Sequence, residues 1–380
     1  MHITIIGSGI AGSVTAYKLA KAGLQVTVID RFDKGQATDA AAGIVCPWLS
    51  QRRNKDWYQL AKGGARYYPE IIEELRQDGE TETGYARVGA LSLHEDPKKL
   101  DAMLQRAEMR KTDAPEMGKI SFLNENEAKR LFPLLTEGYG AVHISGAARV
   151  DGRALRNALQ RAARKYNARF VSAEAQLSMK AERIVVTAGN EEWMPDQVVV
   201  TAGAWAGQLL EPLGYQMQVS FQKAQICHLQ LHNIDTHDWP VIIPPNDQYL
   251  LAFPDGRIIA GATHENDEEM NTGVTAGGVL EVLTKATKLA PGLANAGLVE
   301  TRVGFRPFTP GFLPVFGRMP HHSNLYVING LGASGLTMGP FIASQLSKLI
   351  VGQETDIDIS AYNPEGALCY TQNRKPFNSR

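Results

Sequence analysis

The chain has 380 residues, of which 44% are hydrophobic and 21% charged, and its formal net charge is −1. This is the composition of a globular protein long enough for two domains, and its charge balance argues against nucleic acid or an anionic membrane surface as a partner. No apolar run reaches bilayer-spanning length, and the three cysteines (Cys46, Cys227, Cys369) form neither metal-type pairs nor an even disulfide framework.

The first element is a β-branched run, Ile3, Thr4, Ile5 and Ile6, followed by Gly7, Gly9 and Gly12 in G-x-G-x-x-G spacing. A helical pattern (Val14, Ala16, Tyr17, Leu19, Ala20) then runs to Gly23. An alternating strand from Gln25 closes on Asp30, 18 residues after Gly12. Strand, glycine turn, helix, strand and acid together predict a dinucleotide-binding βαβ unit. Gly7 permits the tight turn, Gly9 lets a pyrophosphate approach the backbone, and Gly12 lets helix and strand pack closely. The helix N-terminus faces the anion with free N–H groups, and Asp30 accepts from ribose hydroxyls.

Ala40-Ala41-Ala42-Gly43-Ile44 is a small-residue segment suited to backbone lying flat against a planar ligand. Helices are predicted over 57–78 (Trp57, Leu60, Ala61, Ala65, Tyr68, Ile71, Ile72, Leu75 at helical spacing), over 96–111, from Asn124 to Pro133, and over 151–166. Strands follow at 168–172 and 183–187, with a polar turn at Asn190, Glu191 and Glu192. The apolar run from Gln197 to Val200, ending in Thr201, Ala202 and Gly203, suits the middle of a parallel sheet. From 215 to 299 alternating segments (225–231, 249–253, 257–263) separated by Pro, Asp and Gly predict antiparallel strands of a second domain, with a helix near 274–289. A strand over 325–329 leads into a second glycine-rich block, Gly330 to Pro340, and then a helix over 341–350. No repeat or low-complexity stretch interrupts this order, and the nine histidines are scattered, so no metal site is expected.

These motifs, taken in order, resemble those of the FAD-dependent amine oxidoreductases, the family of glycine oxidase, sarcosine oxidase and D-amino acid oxidase and dehydrogenase. The resemblance rests on Gly7, Gly9 and Gly12 with Asp30; Ala40 to Gly43; Val198 to Trp205; Gly261-Ala262-Thr263; Val303-Gly304-Phe305-Arg306-Pro307; and Gly330 to Pro340. It implies an α/β fold: a Rossmann-type FAD-binding domain from residues 1–82, 146–214 and 301–380, with an inserted α+β substrate domain, residues 83–145 and 215–300, carrying an antiparallel sheet. It implies non-covalent FAD held by Gly7, Gly9, Ile10, Ala11, Gly12, Asp30, Arg31, Ala42, Gly43, Ile44, Thr201, Ala202, Gly203, Trp205, Gly330, Gly332, Ala333, Ser334, Gly335, Leu336 and Thr337.

The implied reaction moves a hydride from the α-carbon of an amino acid or secondary amine to flavin N5, giving an imine. The cofactor supplies the electronics, so the protein's task is to orient the substrate. Arginine matches a carboxylate in two parallel hydrogen bonds. Arg306 corresponds to the arginine that binds the substrate carboxylate in the resembled enzymes, and Arg302 is the fallback. Tyr249 is the second catalytic candidate, as a hydrogen-bond donor to the same carboxylate. Ile44 and Trp48 are candidates for the apolar wall. A second substrate-side arginine of glycine oxidase is replaced here by Ala333 or Ser334, which points to a bulkier or N-substituted substrate.

Oxidation of a 2-hydroxy acid or glycerol phosphate, and a flavin-binding electron-transfer subunit, are the competing readings. The expected partner is a small amino acid or amine, without nucleic acid or a transmembrane segment. A cytoplasmic location follows from the cysteines and the absence of a leader pattern, with a homo-oligomer left open.

Overall fold

The computed structural model describes residues 1–266 and 269–369. A six-stranded sheet has the order Val315–Arg318, Leu325–Asn329, Gln197–Val200, His2–Ile6, Gln25–Asp30, Arg169–Ser172, and all its pairs are parallel except the first. Gln197–Val200 lies between the strands that precede the two glycine-rich turns and runs parallel to both, so the two turns leave the same end of the sheet on either side of it. Its valines are buried on both faces, as a continuous apolar run in a parallel sheet requires.

The second sheet has nine strands, in the order Gly35–Gln36, Gly297–Phe308, Ser220–Gln230, Arg257–Gly261, Tyr249–Ala252, Val241–Ile243, Ala90–His94, Gly140–Ile144, Ile120–Leu123. It is antiparallel except at two junctions, where Gly35–Gln36 joins Gly297–Phe308 and Val241–Ile243 joins Ala90–His94. The strand Gly297–Phe308 pairs with Ser220–Gln230 along its whole length, so the boundary expected at 300/301 falls inside a strand of this sheet. Gly304 and Pro307 obscured that strand in the sequence. Gly304 sits where a Cβ would lie 2.8 Å from the Ala40 Cβ, so the glycine admits the small-residue segment against the sheet.

The helices form where the apolar spacing places them, and side chains fix their starts. Asn54 caps Lys55–Gln77, Asp96 caps Pro97–Lys111, Asn124 and Glu127 form a capping box on Glu125–Leu131, and Asp151 caps Gly152–Lys165. Ala276–Leu289 is capped by Thr275. Two local expectations need correction. Glu191–Trp193 is the third strand of a small antiparallel sheet rather than a turn; it is an edge strand, and both its glutamates are exposed. The last helix starts at Gly335 rather than at 341, because Pro340 lies within it.

Cys227 is buried and Cys46 half-buried, with burial pushing the Cys46 thiol up to about 12, but Cys369 is exposed. No helix among the described residues is long and apolar enough to cross a membrane.

Candidate active site

A cavity of about 840 Å³ opens between the two sheets. One part of its wall is the βαβ unit. Gly7 has φ +99°, and a Cβ there would lie 2.5 Å from the Thr201 carbonyl oxygen; a Cβ on Gly12 would lie 2.0 Å from the Gly7 oxygen. The first glycine therefore makes the turn and the third lets the helix Ile10–Lys21 close on it. The helix begins at Ile10, whose amide donates to Thr38 Oγ1 at 3.0 Å, while the Ala11 and Gly12 amides stand in the first turn without intrahelical acceptors. Asp30 accepts from the Ser8 and Gln36 side chains and from the Ser8 and Phe32 amides, which fixes its carboxylate at the end of its strand. Arg31 pairs with Asp33 and Glu174.

Of the residues expected to hold the cofactor, Gly7, Gly9, Ile10, Ala11, Asp30, Arg31, Ala42, Gly43, Ile44, Thr201, Ala202, Gly203, Trp205, Gly332, Ala333, Gly335, Leu336 and Thr337 line the cavity. Gly12, Gly330 and Ser334 do not. Gly12 and Gly330 act one layer back: a Cβ on Gly330 would lie 1.8 Å from Thr309 Oγ1. Ser334 immediately precedes the last helix and its side chain caps nothing. Trp48 is packed in the core away from the cavity, so only Ile44 of the proposed apolar pair lines it.

Three polar side chains bind the loops together. Thr201 Oγ1 donates to the Ile6 and Gly7 carbonyls, Thr337 Oγ1 donates to the Ile44 carbonyl, and Asn329 bridges the two later glycine turns. Sequence reasoning missed Asn329 and Thr38. The only signal for Asn329 was a polar residue closing an otherwise apolar strand.

The opposite wall comes from the nine-stranded sheet. Arg306 lies directly across from Gln222 in the strand pairing, and Tyr249 is in register with Gly261. The Arg306 Nη1 donates to Gln222 Oε1 at 3.2 Å and to His264 Nδ1 at 3.1 Å, and the guanidinium also meets the Tyr249 hydroxyl. Among the described residues Arg306 has no ion pair. Burial lowers its affinity for its proton without discharging it. Burial likewise pushes the Tyr249 phenol up to about 12, with Arg306 opposing, so the hydroxyl stays protonated. Arg302 is committed elsewhere, to Glu300 and the Asp39 carbonyl, and is not a wall residue. His264 and Asp247, both in the wall, were not expected.

A parallel-sheet nucleotide cradle facing a cavity wall built on a second sheet defines a dinucleotide-dependent enzyme. The family model described as DAO, FAD dependent oxidoreductase, matches residues 2–349. The protein belongs to this family of FAD-dependent oxidoreductases.

It is 59% identical over 366 residues to the uncharacterized oxidoreductase YurR of Bacillus subtilis, covering 96% of this chain and 98% of that one. It is 27% identical to the glycine oxidase of Pseudomonas aeruginosa, over 97% and 99% of the two chains. Among solved structures, iminodiacetate oxidase (IdaA) from Chelativorans sp. BNC1 superposes with a TM-score of 0.92 at 46% identity, over 95% of this chain and 98% of that one. Glycine oxidase from Geobacillus kaustophilus shares the fold, with a TM-score of 0.85 at 24% identity, over 98% and 99% of the chains.

The residues present fit FAD. The glycine turn leaves room only for backbone, helix amides are free for a pyrophosphate, and small residues (Ala40, Ala41, Ala42, Gly43) line a surface that a planar ring system could lie against.

Proposed function

We propose that this protein oxidises a carboxylate-bearing amino acid or secondary amine, and that its FAD is held without a covalent bond. FAD, when bound, accepts the hydride leaving the substrate α-carbon. The protein's own groups do the rest. Arg306 receives the carboxylate in a bidentate pair, Tyr249 donates a hydrogen bond to it, and the two fix the direction of the C–H bond. The neutral amine then becomes an imine, which water hydrolyses. No cysteine lines the cavity among the described residues, in keeping with a non-covalent cofactor.

The observation that carries this reading is the Arg306 guanidinium, drawn into the cavity wall with Gln222, His264 and Tyr249 around it and, among the described residues, no acid at ion-pair distance, Asp247 acting on it only from farther off. A half-buried cation without a contacting counter-ion is left under-compensated, so its surroundings favour an anionic ligand. Ala333 leaves space on the facing loop for an N-substituent. The likeness to iminodiacetate oxidase and glycine oxidase supports amines that bear a carboxylate. We read residues 1–82, 146–214 and the chain beyond Phe308 as the FAD-binding part, and 83–145 with 215–308 as the substrate part.

The test is anaerobic reduction of the purified holoenzyme's flavin by glycine, sarcosine, iminodiacetate, proline, D-amino acids, 2-hydroxy acids and glycerol phosphate. Bleaching by one or more of the amines is expected. Bleaching by a hydroxy acid or glycerol phosphate alone would overturn the assignment.

A further inference from the structure

His264 stands three residues past the strand Arg257–Gly261, and its backbone is pinned on one side. Lys223 and Glu265 exchange both main-chain hydrogen bonds, at 2.9 Å each, so the chain at 264 is held against the strand that carries Gln222. The side chain is 38% exposed and lines the cavity. Its Nδ1 lies 3.1 Å from Arg306 Nη1 and 3.0 Å from Gln222 Oε1, and its Nε2 faces Asp247 Oδ2 at 3.9 Å.

Two neighbours make opposite demands on Nδ1: Gln222 Oε1 could only accept from it, and the charged Arg306 guanidinium can only donate to it, and the charged neighbour selects the tautomer. A guanidinium has only donors, so the imidazole nitrogen facing it must be the acceptor. That makes His264 neutral, with its proton on Nε2, toward Asp247. Gln222 Oε1 and His264 Nδ1 lie 3.0 Å apart on one side of Arg306 Nη1 and share a hydrogen from it, which stands between the two acceptors. Burial and Arg306 both hold the imidazole below its ordinary range, with Lys285 adding to this and Asp247 opposing it.

We propose that His264 is a positioning residue for Arg306: its neutral imidazole accepts through Nδ1 and holds the guanidinium in the orientation that receives a substrate carboxylate. The assignment rests on the clamp reading of Arg306 above. It gives that clamp what an acid partner could not, an orienting hydrogen bond that leaves the positive charge uncompensated. Asn can place its Oδ1 close to the position of Nδ1, whereas Ala offers no acceptor.

The experiment uses the FAD-loaded enzyme at a pH above the imidazole range. Acetate, a carboxylate that cannot be oxidised, is titrated against the flavin absorbance spectrum, and KM and kcat are measured for the best amine found. His264→Ala should weaken acetate binding and raise KM by about tenfold, the scale of one hydrogen bond to a charged group, with kcat within about threefold of the parent. His264→Asn should restore both to within about threefold of the parent. Unchanged acetate binding in His264→Ala overturns the proposal, and so does a His264→Asn variant as impaired as His264→Ala. Arg306→Ala, run alongside, separates the two levels. If it too binds acetate as the parent does, the clamp itself is wrong; if it alone loses binding, only the positioning role falls.

Discussion

At the scale of single residues, Asn329 shows how one buried amide sets two loops. It is 1% exposed; its Nδ2 donates to the Gly203 carbonyl at 2.8 Å and its Oδ1 accepts from the Gly330 amide at 2.7 Å. Asn329→Ala leaves a carbonyl and an amide without these partners, at a cost of about 1–3 kcal/mol. Both groups belong to cofactor-side turns, so FAD should bind roughly tenfold more weakly, read by titrating apoprotein with FAD and following flavin fluorescence. Arg306→Ala should keep the flavin but raise KM for a carboxylate-bearing amine by about thirtyfold or more, since truncating one partner of a buried charged pair costs about 2–5 kcal/mol. Arg306→Lys should recover only part of this, because a point charge does not reproduce the planar fork. Steady-state kinetics on all three proteins decides it. Arg306 was legible because it sits in a recognisable run, Val303 to Pro307. His264 and Asn329 were not, because their partners (Arg306, Gly203) are 42 and 126 residues away and only the sheet pairing brings them together.

At the scale of elements, periodicity and caps made the helices legible, and the exceptions have local causes. Pro340 hid the first turns of the helix Gly335–Ile350, since a proline lacks the N–H that would bond the carbonyl four residues back. That carbonyl belongs to Leu336, and it accepts instead from the Tyr68 hydroxyl on the neighbouring helix Lys55–Gln77 at 2.5 Å. Tyr68 is fully buried, so its hydroxyl serves as a tertiary replacement for the missing backbone bond. The two helices meet tightly beside it, where a Cβ on Gly64 would lie 2.0 Å from the Thr337 carbonyl oxygen. Tyr68→Phe should therefore destabilise the fold by about 1–3 kcal/mol, because it leaves a buried carbonyl unpaired while keeping the ring. Urea unfolding at neutral pH measures this. A Tyr68→Phe protein with an unchanged midpoint and slope would show that the Leu336 carbonyl finds another partner.

At the scale of the whole molecule, what the sequence concealed is how the larger sheet is put together and how the two sheets meet. Antiparallel strands were expected from 215 onward, but the pairing of Val241–Ile243 with Ala90–His94 joins segments far apart in the chain, and neither strand's composition records its partner. The junction of the sheets is polar. Arg156 and Arg153 meet Asp39 just before the small-residue segment, Arg153 and Arg302 meet Glu300, and Arg257 pairs with Asp151 at 2.7 Å. His228 is buried within this cluster, its Nδ1 4.0 Å from Glu300. Burial, with Arg302 and Arg257 adding to it and Glu300 and Asp151 opposing, holds its imidazole down at about 4, against an ordinary value of 6.5. The native state thus keeps His228 neutral over a range in which the unfolded chain protonates it. Stability should be insensitive to this group above pH 6.5 and should fall as the pH drops from there toward 4, by about 2 kcal/mol at pH 5. The carboxylates of Asp151 and Glu300 are held below their ordinary values and act in the same sense but in a lower window: their stabilisation is lost only at lower pH, as they take up protons. The two windows can therefore be separated. Replacing the imidazole by a neutral amide, His228→Gln, should flatten the decline in unfolding free energy between pH 6.5 and pH 5 while leaving the steeper acid limb in place. Parallel pH profiles for the two proteins, measured by urea unfolding, would show that a different group governs acid sensitivity at this junction.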